Sequence, residues 1–405
     1  MENPVRSLLY AGVACGVLLA VTSASGRAQT AAPVENQRKA AYELEQQGKT
    51  TEAEAIWRSL AKANPTDAEA YANLGLLEAR QQHYKEAVPL YRKALALNPS
   101  MPGLRLNLGL SLFKSGALKD AIATFTPLLK SAPPSSPEAL RLKTLIGMAH
   151  YGLGEYGAAV SYLREVTASD PQNLPMRMLL AQSCLWSKQY QCVLDVYHEI
   201  LNLNAESAEA DMLAGEAYDE MKDRADAVTQ FRAAVKADPH LPNVHFGLGY
   251  LLWNLMQYEE AAKEFQAELD NNPEHAQALT YLADTNIKLN HPEPALPLLE
   301  KAIRLDPKLE LAHLDLGILY SDTGRQSEAL QEFKTAAALN PNDVNVHWRL
   351  GRFYQAAGEK AMAKAEFDKT RSLQKAADES IFSKLKEAQE KGKPKETNPD
   401  APLSK

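Results

Sequence analysis

Prolines recur along this chain at a fixed interval. Pro65, Pro99 and Pro133 stand 34 residues apart, Pro171 follows after 38, and Pro239, Pro273, Pro307 and Pro341 are again 34 apart. The gap from Pro171 to Pro239 is 68, two periods, with Ala205 where a proline would stand. Most of these prolines sit in Asn-Pro or Asp-Pro pairs, at Asn64, Asn98, Asn272 and Asn340 and at Asp170, Asp238 and Asp306. Proline cannot continue a helix, and it pushes the residue before it out of the helical region. Each pair therefore closes one structural unit. A chain punctuated at this period stacks like units on one another instead of wrapping a single core.

Inside the period the side chains are patterned too. Gly75, Gly109, Gly147, Ala181, Gly215, Gly249, Ala283, Gly317 and Gly351 share one position. Twelve residues after that position stand Ala53, Ala87, Ala121, Ala159, Ala227, Ala261, Ala295, Ala329 and Ala363. Four residues further on is a large residue: Trp57, Tyr91, Phe125, Leu163, Tyr197, Phe231, Phe265, Leu299, Phe333 and Phe367. Two antiparallel helices that cross closely need small residues where they meet, and a bulky ring then fills the gap toward the next unit. Abundant alanine and leucine favour helices.

The pattern resembles the tetratricopeptide repeat (TPR) family, a helix-turn-helix unit of 34 residues. Residues 310–343, ELAHLDLGILYSDTGRQSEALQEFKTAAALNPND, carry it fully, with Leu316, Gly317, Tyr320, Ala329, Phe333, Ala336 and Pro341 in the matching places. The resemblance implies an all-α fold, a right-handed superhelical solenoid of about ten TPR helical hairpins over residues 34–377. Repeat one has Ala41 in place of the glycine, and repeat five has Val193 for alanine and no closing proline. A four-residue insertion lies near 134–137. There Ser136 can cap and Pro137 can start a helix, which gives either a longer connection or a helix extended by a turn. Residues 378–392 read as a separate capping helix and 393–405, polar and proline-rich, as a disordered tail.

The chain begins with Arg6, an uncharged run from Leu8 to Val21 and the small residues SASGRAQ, which read as a signal peptide over residues 1–28. Cleavage after Ala28 competes with cleavage after Ser25. The apolar run is shorter than the roughly 20 residues of a membrane span, so no stable span is expected after cleavage. The expected location is periplasmic or secreted, with retention as an anchor the alternative. The formal net charge is -7, which supplies no positive field for nucleic acid. Cys184 and Cys192 are the two cysteines beyond the signal segment, and in an oxidising compartment they either pair as a disulfide or stay as two small buried thiols.

The repeats fill nearly the whole chain after the signal segment, and no phosphate loop, HExxH or paired CxxC interrupts them. His245, His313 and His347 share one repeat position, which marks them as packing residues. No enzyme activity, cofactor or metal is expected. In the resembling family the first helix of each hairpin lines a concave groove, with positions 2, 5, 9 and 12 facing in. Carried over by count, these are Asn243, Phe246, Tyr250 and Trp253 in repeat seven, Glu209, Met212, Glu216 and Asp219 in repeat six, and Asn345, Trp348, Arg352 and Gln355 in repeat ten. They also include Phe113 in repeat three and Met148 in repeat four. The aromatics of repeat seven lie on another face from Leu248, Gly249 and Leu252, and so are expected to be spare. The expected function is a non-catalytic scaffold that holds a protein or peptide segment with apolar anchors and a basic residue. A self-assembling array or homo-oligomer, and a carbohydrate-binding module that stacks sugars on Phe246, Tyr250 and Trp253, are the alternatives.

Overall fold

The computed structural model describes residues 31–203 and 207–391; the signal segment and the tail from 393 lie outside them. All elements among the described residues are helices, paired as hairpins. The first helices are α1 (Ala31–Gln46), α3 (Ala68–Arg80), α5 (Leu104–Lys114), α7 (Pro137–Gly152), α9 (Leu174–Trp186), α11 (Ala208–Glu220), α13 (Val244–Asn254), α15 (Ala276–Lys288), α17 (Glu310–Asp322) and α19 (Val344–Ala356). The second helices are α2 (Thr50–Ala63), α4 (Tyr84–Leu97), α6 (Leu118–Ser131), α8 (Tyr156–Ser169), α10 (Tyr190–Asn202), α12 (Arg224–Ala237), α14 (Tyr258–Asn271), α16 (Ala295–Leu305), α18 (Gln326–Leu339) and α20 (Lys360–Lys391). They form two compact units, α1 to α10 and α11 to α20. Each unit is an all-α solenoid in which every helix packs against its sequence neighbours.

The punctuation works as the sequence suggests. Asn64, Asn98, Asp170, Asp238, Asn272, Asp306 and Asn340 each cap the C-terminus of a second helix, all outside the helical region. The following first helix is often capped by a side chain three residues on, as Asp67 accepts from Ala70 N at 3.1 Å. The inserted residues before repeat four are taken into α7. Ser136 accepts from Ala139 N, Pro137 opens the helix, and α7 has 16 residues where α9 has 13.

The recurring small and bulky residues meet each other. A Cβ placed on Gly215 would lie 2.8 Å from Phe231 Cδ2, and one on Gly247, in the next repeat, 2.5 Å from Phe231 Cε1. The ring is wedged between two first helices, one against each edge, so it joins its own hairpin to the following one. The histidines do a similar job with polar atoms. His245, His313 and His347 are buried, with Nδ1 2.6 Å from Glu264, Glu332 and Glu366 of the partner helix. Nε2 of His313 and His347 also reaches the carbonyls of Pro307 and Pro341.

The C-terminal end differs from expectation. Residues 360–391 form one uninterrupted helix of 32 residues, so the expected cap at 378–392 is a continuation of the last hairpin. Nothing closes repeat ten: no proline or glycine lies between Lys360 and Lys391.

Candidate functional site

Within the second unit, successive first helices touch at α11–α13, α13–α15 and α15–α17, and no pair of successive second helices does so to the same extent. The first helices therefore line the closely spaced, inner side. α13 is the centre of the candidate site, and its start is fixed from beneath. Buried Glu268 of α14 accepts from the backbone N–H of Asn243 at 3.3 Å and of Phe246 at 3.2 Å. Asn243 has positive φ, and its Oδ1 accepts from His275 Nε2 at 2.9 Å. His275 Nδ1 in turn accepts from Ala278 N at 3.1 Å, opening α15. Buried Glu268 and half-buried His275 thus set the register of α13 against α15.

On that frame the three rings of α13 stack in a row. Phe246 and Tyr250 centroids are 6.2 Å apart, and Tyr250 and Trp253 are 6.1 Å apart. Tyr281 of α15 stands edge-on to all three, at 5.9, 5.2 and 5.2 Å. The Trp253 indole N–H donates to Asp284 Oδ2 at 2.5 Å, and Lys288 Nζ lies 2.9 Å from Asp284 Oδ1 and 5.4 Å from the indole centroid. Phe246 is half-buried and stacks on His275 at 4.8 Å.

The rings of α13 are therefore not spare. Phe246 and Trp253 pack against the core of repeats seven and eight, and Tyr250, 38% exposed, is the ring that faces out. The physical reason is the offset between successive first helices. Position 12 of one repeat meets positions 6 and 9 of the next, so an inward-facing ring is also a neighbour's packing partner. Tyr281, Asp284, Lys288 and His275 were missed by counting inward positions alone. A polar pair at a spacing of 31 residues is the signal that would have found Asp284, since Tyr151 OH to Gln182 and Asn73 to Tyr42 OH repeat it. Phe113 and Met148, counted as inward, are buried in the core.

Charge lies at the two ends. α11 carries Glu209, Asp211, Glu216, Asp219 and Glu220 and no basic residue. Met212 packs against the core, while Glu216 is half-buried, and burial, then Glu220, pushes its carboxyl up to about 6. On α19, Trp348 is 40% exposed, with the guanidinium carbons of Arg349 and Arg352 each 5.4 Å from its ring. Between them, Asp315 of α17 is buried and one of its oxygens lacks a partner. Burial, with Asp284 and Glu310 nearby, holds its carboxyl well above the usual range, against the pull of Lys288 and Arg349. Glu310 is pushed up to about 7 by burial and then by Asp343, with His313 opposing.

In the first unit, Cys184 of α9 and Cys192 of α10 are joined as a disulfide with Cα atoms 5.8 Å apart. Arg164 donates to Cys192 Sγ at 3.2 Å. Among the described residues no group of three or more His, Cys, Asp or Glu side chains is placed to hold a metal ion, and no helix is long and apolar enough to cross a membrane.

These features define a helical-hairpin repeat protein with a side-chain-lined inner face. Models of the tetratricopeptide repeat match residues 38–102, 78–146, 140–173, 212–269 and 246–310, and a TPR repeat model matches 319–358. The chain belongs to the tetratricopeptide repeat family. It is 24% identical over 333 residues to BBSome complex member BBS4 of Bos taurus, covering 79% of this chain and 63% of that protein. It is 24% identical to the CTR9 homolog of Arabidopsis thaliana (68% and 26% covered), and 21% identical to anaphase-promoting complex subunit 3 of Schizosaccharomyces pombe (72% and 44% covered). The chain thus spans less than two thirds of the length of each of these relatives. Among solved structures, the Cut9–Hcn1 hetero-tetramer of APC/C aligns with TM-score 0.43 at 12% identity, over 85% of this chain and 88% of that one. YrrB, a TPR protein with an unusual peptide-binding site, aligns with TM-score 0.37 at 19% identity, over 46% and 95%.

Proposed function

We propose that this protein is a non-catalytic scaffold that holds an extended segment of a partner protein on the inner face of its second unit, in a compartment reached by export. The observation that carries the reading is Tyr250. It is an exposed ring held rigidly between Phe246, Trp253 and Tyr281, with apolar area and a hydroxyl ready for a ligand at little entropic cost. Glu216 and Asp219 one repeat away favour a basic residue beside the apolar anchor. Relatives whose names place them in multiprotein complexes support a scaffold role. Sugar stacking is disfavoured, because His275 covers one face of Phe246 and Tyr250 stacks on Trp253.

Crosslinking in the native host from a photoreactive residue at position 254, one turn from Tyr250 on α13, followed by mass spectrometry, tests the reading. A partner polypeptide captured there and lost on Tyr250→Ala supports it. Capture that is unchanged by Tyr250→Ala overturns it.

A further inference from the structure

The inner face of the second unit changes character along its length. α11 at one end carries five acidic residues and no basic one, and α13 carries no Asp, Glu, Lys or Arg, its histidine, His245, being buried against Glu264. α19 at the other end carries Arg349 and Arg352 with no acidic residue. The carboxylate of Asp284 between them is already occupied by Trp253 and Lys288, and Asp315 is buried.

The α19 end is cationic. Neither guanidinium is in a close salt bridge among the described residues, but Arg349 lies near enough to buried Asp315 to favour its charged form, and its Nε is buried without a hydrogen-bond partner. Both guanidinium groups flank the exposed Trp348 ring, which orients them and adds cation–π attraction without neutralising them. A guanidinium fork with free N–H groups matches a carboxylate. At the other end Glu216 is half-buried and has no ion pair among the described residues, so it favours a cation.

We propose that Trp348, Arg349 and Arg352 form the acid-reading end of this groove, so that a bound segment lies with a basic residue over α11, an apolar anchor on Tyr250 and an acidic residue over α19. The inference rests on the groove binding proposed above and adds the order of charges in the partner. Packed helices stand about 10 Å apart, so α11 to α19 spans on the order of 40 Å. At about 3.3 Å per residue, that is an extended segment of roughly 12 residues. The carboxylate meant here is an acidic side chain, and the partner is a protein segment of alternating character: basic, apolar, acidic.

The test uses the full chain and three synthetic peptides, acetylated and amidated so that only side chains carry charge. All share one central Phe-Leu core. One has two lysines at one end and two glutamates at the other, one has lysines at both ends, and one has glutamates at both ends. By fluorescence anisotropy at low salt, the mixed peptide is expected to bind about tenfold tighter than either of the others, because each of those sets like charges against one end. Arg349→Glu with Arg352→Glu is expected to move the preference to the all-lysine peptide. Arg352→Glu alone, at an exposed position, is expected to move it partway, and this single variant keeps the test sound if the double one unfolds. Equal binding of all three peptides leaves the groove reading standing and overturns the charge order. Failure of every peptide overturns both. A concentration-dependent dimer that Arg352→Glu abolishes assigns the site to a second copy of the chain and overturns the peptide reading.

Discussion

The indole of Trp253 donates to the carboxylate of Asp284, 31 residues away, and so ties α13 to α15. The bond is one of a set: Tyr151 reaches Gln182 and Asn73 reaches Tyr42 across the same interval. Side chains on the inner face thus serve two ends, joining successive repeats and presenting what remains exposed.

Truncation should separate these roles. Trp253→Ala removes the bond and leaves Asp284 buried with one donor fewer, besides opening a cavity. A loss of about 3 kcal/mol is expected in urea unfolding. Tyr250→Ala should cost under about 1 kcal/mol of stability and weaken the partner by more than about 1 kcal/mol. A silent Trp253→Ala in unfolding would show that the indole bond contributes nothing.

The glycine–ring contact predicts a rescue. Gly215→Ala puts a methyl into the Phe231 ring and should destabilise by roughly 1–3 kcal/mol. Adding Phe231→Leu should recover much of that loss, because Ala283 and Leu299 form the same pair naturally in repeat eight. A double variant no more stable than Gly215→Ala would mean that the ring is not the obstacle.

Stability should fall as pH rises. Glu216, Glu310 and Asp315 all have carboxyls raised in the folded state, so the folded chain holds more protons than the unfolded one between the ordinary carboxylate range and about 7. Their contribution is complete below that range and is lost as pH climbs through about 6 and 7. Asp284, Lys288 and Arg349 surround Asp315, and Asp343 and His313 face Glu310. The urea midpoint of the full chain should be higher at pH 5 than at pH 8. Glu310→Gln with Asp315→Asn should flatten the difference; an unchanged pH profile would rule out these two as its source.

The disulfide closes a short loop, with eight residues of separation. Cys184→Ser with Cys192→Ser should cost roughly 2–3 kcal/mol by the chain-entropy account. Thiol counting on unreduced, denatured protein from the native host should find none free, and two free thiols would contradict the pairing.

Export predicts a mature N-terminus near Gln29, read by sequencing protein from the native host. An intact Met1 in a cytoplasmic fraction would end that reading.

The hairpins were legible because their causes are local. An Asn-Pro pair ends a helix wherever it stands, and a period of 34 repeats the same cap, small residue and ring. The identity of Phe246, Tyr250, Trp253, Trp348 and Arg352 as first-helix positions followed from counting. That count could not say which ring would be covered. The capping helix was misjudged for a similar reason: its continuity depended on the missing breaker after Lys360 rather than on the repeat.

Sequence by itself determined that this chain forms stacked helical hairpins, where the prolines close them, and which residues share a face. Only the tertiary structure decided that Trp253 is tied down, that Tyr250 is exposed, that Asp315 is buried beneath its neighbours and that Arg349 and Arg352 flank Trp348. The physical reason is that helix formation depends on neighbours in the chain. The offset between successive first helices is set by contacts between repeats, such as Phe231 against Gly247, and that offset decides which side chains meet.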